Sequence, residues 1–85
     1  MYEPVCKPID VIIHFDNKVK ILKFRLKNST YVYKVDEVLS RWNEERGDKL
    51  FSYFTVVCKE QDFLGELQFD HKDMKWYLIQ KDTYA

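Results

Sequence analysis

Alternation of apolar and polar residues along the chain is the feature that most constrains its fold. Residues 9–15 and 20–27 both show this period of two, with the apolar residues on one parity. Successive side chains of a β-strand point to opposite faces, so the pattern predicts two strands that each bury one face. The clearest run sets Leu22, Phe24 and Leu26 against Lys23, Arg25 and Lys27. Asp16 and Asn17, between the runs, tolerate left-handed backbone and predict a tight hairpin.

The next segment, "STYVYKVDEVLSRW" (29–42), fits two structures. Tyr31, Tyr33 and Val35 alternate as in a strand, with an irregularity near Asp36 that would shift the phase toward Val38. Alternatively, Asp36 would cap a short helix within 36–45. We favour a long, bulged strand, because the alternation begins well before Asp36. The polar stretch that follows, "NEERGDK" (43–49), is predicted to form a mobile loop.

Three further apolar runs, separated by short polar turns, occupy 50–58, 63–69 and 74–80. The first is apolar on both parities, which is typical of a central strand covered on both sides. The sequence therefore predicts an all-β fold, an antiparallel meander of five or six strands that forms a small barrel or a compact sandwich. An α+β fold with one short helix is the alternative. The domain is predicted to span 9–81, between a flexible leader, 1–8, and a tail, 82–85.

Composition and charge bound the classes of function. With 85 residues the chain has room for one domain, and its 14 basic residues balance 14 acidic ones. Net neutrality removes any bulk attraction to nucleic acid or anionic membranes, yet residues 17–34 hold six cations and no acid. Cys6 and Cys58 are too few and too far apart for a disulfide framework, and Cys58 is predicted to be an inert core thiol. The absence of a signal peptide and of a membrane-spanning run predicts a cytoplasmic location.

The chain carries no catalytic sequence motif, so no catalytic residue, cofactor or metal is predicted. Two similar stretches, 14–18 and 68–72, each place a phenylalanine, an aspartate and a lysine between apolar runs. Aspartate, asparagine and histidine suit turns, so we interpret both stretches as turn chemistry. A metal-assisted hydrolase with a shared site is the alternative. Its ligands would be His14, Asp16, His71 and Asp73.

The basic row of the second predicted strand is the strongest candidate for a binding surface. Its cations would stand ~6.6 Å apart on one strand face, a pitch suited to the phosphates of an extended single-stranded nucleic acid. Nearby aromatic side chains would supply stacking and contact surfaces. The predicted contact residues are Lys23, Arg25, Lys27, Tyr31, Tyr33 and Trp42. An ordinary solvated face and a contact with an acidic protein are the alternatives.

Two residue patterns resemble those of a family of small uncharacterised bacterial proteins rich in β-structure. The first pattern, Y-x-V-x-x-V-L-x-x-W, is matched by Tyr33, Val35, Val38, Leu39 and Trp42. The second pattern, F-D-x-x-x-x-x-W-x-L, is matched by Phe69, Asp70, Trp76 and Leu78. The resemblance covers roughly residues 20–80 and implies an association with Y-family repair polymerases, without naming a catalytic residue.

These observations predict a non-enzymatic binding or adaptor module. Its partner would be single-stranded nucleic acid or a DNA-repair protein, contacted through the basic strand. A structural, oligomer-forming subunit is the second hypothesis, with a homodimer as its simplest form, because so small a domain buries only about 60% of its unfolded surface. The metal-assisted hydrolase is the third.

Overall fold

The computed structural model describes residues 2–84, which form seven β-strands and one short turn of 3₁₀-helix. The strands are β1 (Glu3–Asp16), β2 (Lys18–Leu26), β3 (Tyr33–Lys34), β4 (Glu37–Arg46), β5 (Lys49–Cys58), β6 (Phe63–Asp70) and β7 (Lys75–Thr83). The 3₁₀ turn, Lys59–Gln61, lies between β5 and β6. Within the described residues, no helix is long and apolar enough to cross a membrane.

The strands form one antiparallel sheet in the order β3-β2-β1-β7-β6-β5-β4. The two strands at the ends of this order are consecutive in the chain, and the sheet curls into a half-barrel whose edges approach each other. Val35 and Asp36 span the gap between the edges. The N–H of Val35 donates to the carbonyl of Leu22 at 3.0 Å, and the N–H of Asp36 donates to the carbonyl of Val57 at 2.8 Å. The short connection therefore ties both edges together.

Two tight turns use residues that adopt left-handed backbone conformations. Asn17, with a φ of 64°, separates Asp16 from Lys18, which confirms the predicted hairpin between β1 and β2. Gly47 also has a φ of 64° and precedes Asp48 in the turn between β4 and β5. A residue without a Cβ adopts this conformation at no steric cost, so Gly47 allows β4 to reverse directly into β5.

The all-β prediction is confirmed, but the count of five or six strands is wrong, because the predicted long strand divides at 35–36 into β3 and β4. The short-helix alternative for 36–45 is also wrong. These residues form an extended strand with a register shift between Val38 and Ser40. The predicted loop 43–49 is wrong as well, since 43–46 complete β4. As an edge strand, β4 keeps its charged side chains in water while its backbone pairs with β5.

The ordered domain begins earlier than the predicted boundary. Most of the predicted leader belongs to β1 and pairs with β7, with Glu3 opposite Lys81 and Pro8 opposite Tyr77. Proline cannot donate to a ladder, but sheets accept proline at irregular positions. Here the register of β1 shifts between Pro4 and Lys7. β7 continues through Thr83, and residues 1 and 85 lie outside the described part of the chain.

The hydrophobic core covers the inner face of the half-barrel. Its buried members are Ile9, Ile21, Phe24, Phe54, Val56, Cys58, Phe63, Leu67 and Leu78. Tyr53 and Val57, on the outer parity of β5, are also buried, which confirms β5 as a strand covered on both sides. Trp76 is partly buried and packs against the core. Phe15 stays 73% exposed, because β1 pairs with β7 only as far as Ile9 and the hairpin extends beyond it.

We expect only one of the two thiols to react in the folded protein. Cys6 is exposed, whereas Cys58 is fully buried, and burial together with the charge of Asp36 raises the pKa of the Cys58 thiol to about 12. At pH 8 such a thiol is a thiolate only ~0.01% of the time, and the thiolate is the reactive form. A thiol-reactive chromogenic disulfide should therefore titrate one thiol in native protein and two in denaturant. Rapid reaction of both thiols under native conditions would contradict the buried position of Cys58.

Candidate nucleic-acid interface and apolar pocket

A bulge in β2 gathers the cations of that strand onto one outer face. Ile12 pairs with Lys23, but the next residue, Ile13, pairs with Ile21, so Leu22 is an extra residue in β2. An extra residue reverses the parity of the strand. The even-numbered lysines before the bulge, Lys18 and Lys20, therefore point to the same outer face as the odd-numbered cations after it. With Lys34 of β3, this basic face comprises Lys18, Lys20, Lys23, Arg25, Lys27 and Lys34.

One carboxylate neutralises one end of the basic face. Asp10, on β1, accepts from the Lys27 ammonium at 2.7 Å and lies 3.5 Å from the Arg25 guanidinium. The hydrogen bond from Lys27 is the largest cause that lowers the pKa of Asp10, and the charges of Lys27 and Arg25 add to it. Arg25 and Lys27 are about half exposed, so these ion pairs are weak in water. This end of the face is nevertheless partly compensated.

The middle of the basic face is not compensated. Lys23 lies directly opposite Lys34 in the ladder between β2 and β3. Like charges at directly opposed positions destabilise a sheet. Within residues 2–84, neither of these lysines forms an ion pair, and the same holds for Lys18 and Lys20. The fold therefore keeps two like charges opposite each other, and a bound anion would reduce the repulsion between them.

A concavity of about 370 Å³ opens beside this pair. Lys23 and Arg25 line it together with Asp10 and with three apolar residues, Ile12, Phe24 and Val32. Ile12 is 53% exposed and Val32 is 41% exposed. Cations next to exposed apolar surface can contact a phosphate and the face of a base at the same time. The concavity is therefore suited to a nucleotide unit of an extended chain.

The structure brings only some of the predicted contact residues together. Lys23, Arg25 and Lys27 share the outer face as predicted, and Tyr31, 56% exposed, lies near the end of β2 in the connection to β3. Tyr33 instead faces inward. Its ring stacks on that of Phe24 at a centroid distance of 4.9 Å and is tilted against that of Phe63 at 4.6 Å. These contacts use the Tyr33 ring in the core, so the ring does not offer a stacking surface to a partner.

Trp42 lies on β4, near the opposite edge of the sheet from β3, and stacks on Tyr53 at a centroid distance of 5.3 Å. It is 37% exposed, so its outer surface remains accessible. Trp42 does not line the concavity beside Lys23 and Arg25, but it shares a surface depression with Val19 of β2, the residue between Lys18 and Lys20.

The two similar stretches serve as turns at their respective hairpins. In the second stretch, the carboxylate of Asp70 accepts from the N–H groups of Lys72 at 2.9 Å and Asp73 at 3.2 Å. Burial raises the pKa of Asp70, but these N–H groups and the nearby Lys49 ammonium act in the opposite direction and lower it overall. Among the described residues, no three His, Cys, Asp or Glu side chains are grouped as metal ligands would be.

A second site, which the sequence did not indicate, lies on the inner face at the open end of the half-barrel. This apolar pocket has a volume of about 290 Å³. Its lining residues are Ile13, Val19, Ser52, Phe54, Phe69, His71, Met74 and Trp76. The β1–β2 hairpin supplies one wall, because it extends past the end of β7. Arg41 closes the seam beside it by donating to the carbonyl of Val19 at 2.9 Å.

A short hydrogen-bond relay forms the polar wall of the apolar pocket. The Ser52 hydroxyl donates to Oδ1 of Asn43 at 2.7 Å, and its oxygen lies 2.7 Å from Nε2 of His71. A hydroxyl has one proton, so Nε2 of His71 must carry the proton of the second hydrogen bond. His71 thus donates to Ser52 and does not withdraw its proton, so Ser52 is not activated as a nucleophile in this arrangement.

The sequence signal for this relay was faint. Ser52 is the polar residue on the inward parity of β5, which it shares with Phe54, Val56 and Cys58. Because β5 is apolar on both parities, the sequence does not show which parity faces inward. The sequence places His71 in a turn or, as the alternative, among four metal ligands, and neither prediction brings it to Ser52. Its proximity to Ser52 follows from the pairing of β5 with β6.

In comparisons with protein families, with proteins of known function and with solved structures, nothing matches this chain. The resemblance to small bacterial proteins associated with Y-family polymerases stays a prediction.

Proposed function

We propose that this protein is a non-enzymatic binding module whose basic face contacts single-stranded nucleic acid. The directly opposed pair of Lys23 and Lys34, without an ion-pair partner in the described chain, is the observation that carries the proposal. A phosphate between the two ammonium groups would replace repulsion by attraction. The apolar side chains of Ile12 and Val32 beside it would contact the base.

Charge and spacing support a single strand over a duplex as the partner. The outer face of β1–β3 holds six cations and two carboxylates, Asp10 and Asp16, while the chain as a whole is neutral. Because the positive charge is confined to this one face, it provides only a few phosphate contacts. Alternate residues of a strand stand ~6.6 Å apart, so the row follows an extended backbone. Weak binding that depends on salt is the expected behaviour.

Two further parts of the proposal concern context. A cytoplasmic location is supported by the two cysteines, both free, because reducing compartments keep thiols unpaired. A DNA-repair protein is the alternative partner and rests on the family resemblance.

A structural, oligomer-forming role is a second candidate function. Phe15 and Met74, 73% and 71% exposed, are apolar side chains that a second copy would cover.

We expect fluorescence anisotropy with a labelled single-stranded oligonucleotide to show saturable binding at low salt. If three phosphates are neutralised, the logarithm of the association constant should fall with the logarithm of salt concentration with a slope of about −2. That slope corresponds to a loss of roughly 20-fold between about 50 and 200 mM salt. The variant Lys23→Ala/Arg25→Ala/Lys34→Ala should bind at least about tenfold more weakly and lose most of the salt dependence.

The matched control removes three cations elsewhere, in Arg46→Ala/Lys59→Ala/Lys72→Ala. Both variants have the same net charge, so a difference between them reports position and not total charge. The control is expected to retain the wild-type slope. Equal affinities of the two variants, or no anisotropy change with wild-type protein at about 100 μM, would contradict the proposed interface.

A further inference from the structure

The apolar pocket is independent of the basic face and has the features of a small-molecule site. Its wall includes the aromatic side chains of Phe54, Phe69 and Trp76, with ring centroids 4.8 Å apart for Phe69 and Trp76. Its volume of about 290 Å³ is close to the lower limit of ligand pockets, ~300 Å³. A cavity of ~150 Å³ holds benzene. The apolar pocket therefore has room for a bicyclic aromatic ring system.

The relay determines which polar group a ligand should carry. Ser52 gives its only proton to Asn43 and accepts one from His71, so one lone pair of its oxygen remains. An imidazole that carries its one proton on Nε2 has an acceptor at Nδ1 and no further donor. The two polar residues that line the pocket thus offer acceptors to a ligand. A ligand that satisfies them must donate a proton from O–H or N–H.

We propose that the apolar pocket binds a small, neutral, bicyclic aromatic molecule that bears one hydrogen-bond donor, which points at Ser52 and His71. The aromatic wall contacts the rings of the ligand. Met74 and the hairpin residues Ile13 and Val19 line its open side. Met74 is unbranched and adapts its shape to the ligand, so the pocket accepts related ring systems of similar size.

The test uses 2-naphthol and 2-methoxynaphthalene as probes, because they share a ring system and differ in the donor. In ¹⁵N–¹H spectra, the indole N–H of Trp76 reports on the pocket, while that of Trp42, on the outer face, is an internal control. Trp42→Phe assigns the two signals and retains an aromatic ring against Tyr53. We expect 2-naphthol to shift the Trp76 signal saturably and 2-methoxynaphthalene to bind about three to ten times more weakly, the equivalent of one hydrogen bond.

Ser52→Ala removes the acceptor and should reduce the affinity for 2-naphthol to that for 2-methoxynaphthalene, which should itself change little. Ser40→Ala is the matched control, since Ser40 donates to Thr55 on the outer surface at 3.0 Å. It should leave both affinities unchanged. Equal affinities of the two probes for wild-type protein, or a shift of Trp42 in place of Trp76, would overturn the proposal. A pocket occupied by a second copy would also overturn it, and Phe15→Ser would then change the Trp76 signal without any probe.

Discussion

Replacing Phe24 by alanine is expected to lower the free energy of unfolding by about 3–5 kcal/mol. Phe24 is 2% exposed and forms the centre of an aromatic cluster on the inner face. Its ring stacks on Tyr33 with an interplanar angle of 7° and lies 5.8 Å from Phe63. Truncation would remove its buried surface and leave a cavity that the rigid neighbouring strands close only in part.

The expected loss for Phe24→Ala is large compared with the total stability of the domain. A domain of this length has a stability of about 4–13 kcal/mol, and 3–5 kcal/mol corresponds to a fall in Tm of roughly 12–40 °C. Urea denaturation followed by circular dichroism measures the change. Phe15→Ala is the matched control, because Phe15 is 73% exposed at the hairpin tip and its truncation should change stability by less than about 0.5 kcal/mol. Similar losses for both variants would contradict the assigned core.

Replacing Gly65 by alanine is the second change with a large expected effect. A Cβ at Gly65 would lie 2.5 Å from Cε1 and 2.8 Å from Cζ of the Phe63 ring. That ring is only 6% exposed and contacts Phe24 and Tyr33, so it has no free direction in which to move. Overpacking of this kind costs about 1–3 kcal/mol, which exceeds the ~0.4–1 kcal/mol gained by restricting the unfolded chain.

A double-mutant cycle identifies the cause of this loss. Phe63→Leu removes the two ring atoms that crowd Gly65, at a packing cost of its own. The double variant Gly65→Ala/Phe63→Leu should therefore be more stable than the sum of the single changes predicts, by about 0.5–3 kcal/mol. Gly47→Ala is the control. Gly47 has open space around it but a φ of 64°, so its loss of stability is conformational and Phe63→Leu should not relieve it. Strict additivity at Gly65 would contradict the steric explanation.

The β1–β2 hairpin connects both proposed sites to the fold. Its outer face carries Lys23 beside Ile12, and its inner face contributes Ile13 and Val19 to the apolar pocket. A bulge at Leu22 lies between these positions and sets which side chains face outward. A ligand on one face and a nucleic acid on the other would therefore contact the same two strands.

The sequence by itself determined the strand content, the hairpin at Asn17 and the burial of β5 on both faces. These features depend on local alternation and on turn residues, which act over a few positions. The row of Lys23, Arg25 and Lys27 was predictable for the same reason.

Only the tertiary structure decided the features that depend on strands distant in sequence. The pairing of β2 with β1 located the bulge at Leu22, and with it the alignment of Lys18 and Lys20 with Lys23 on one face. The opposition of Lys23 and Lys34 likewise required the register between β2 and β3. Edge position, set by the order of the whole sheet, explains why the charged residues 43–46 form a strand. The Asn43–Ser52–His71 relay draws on three segments, because polar groups converge in space through long-range pairing and leave no period in the sequence.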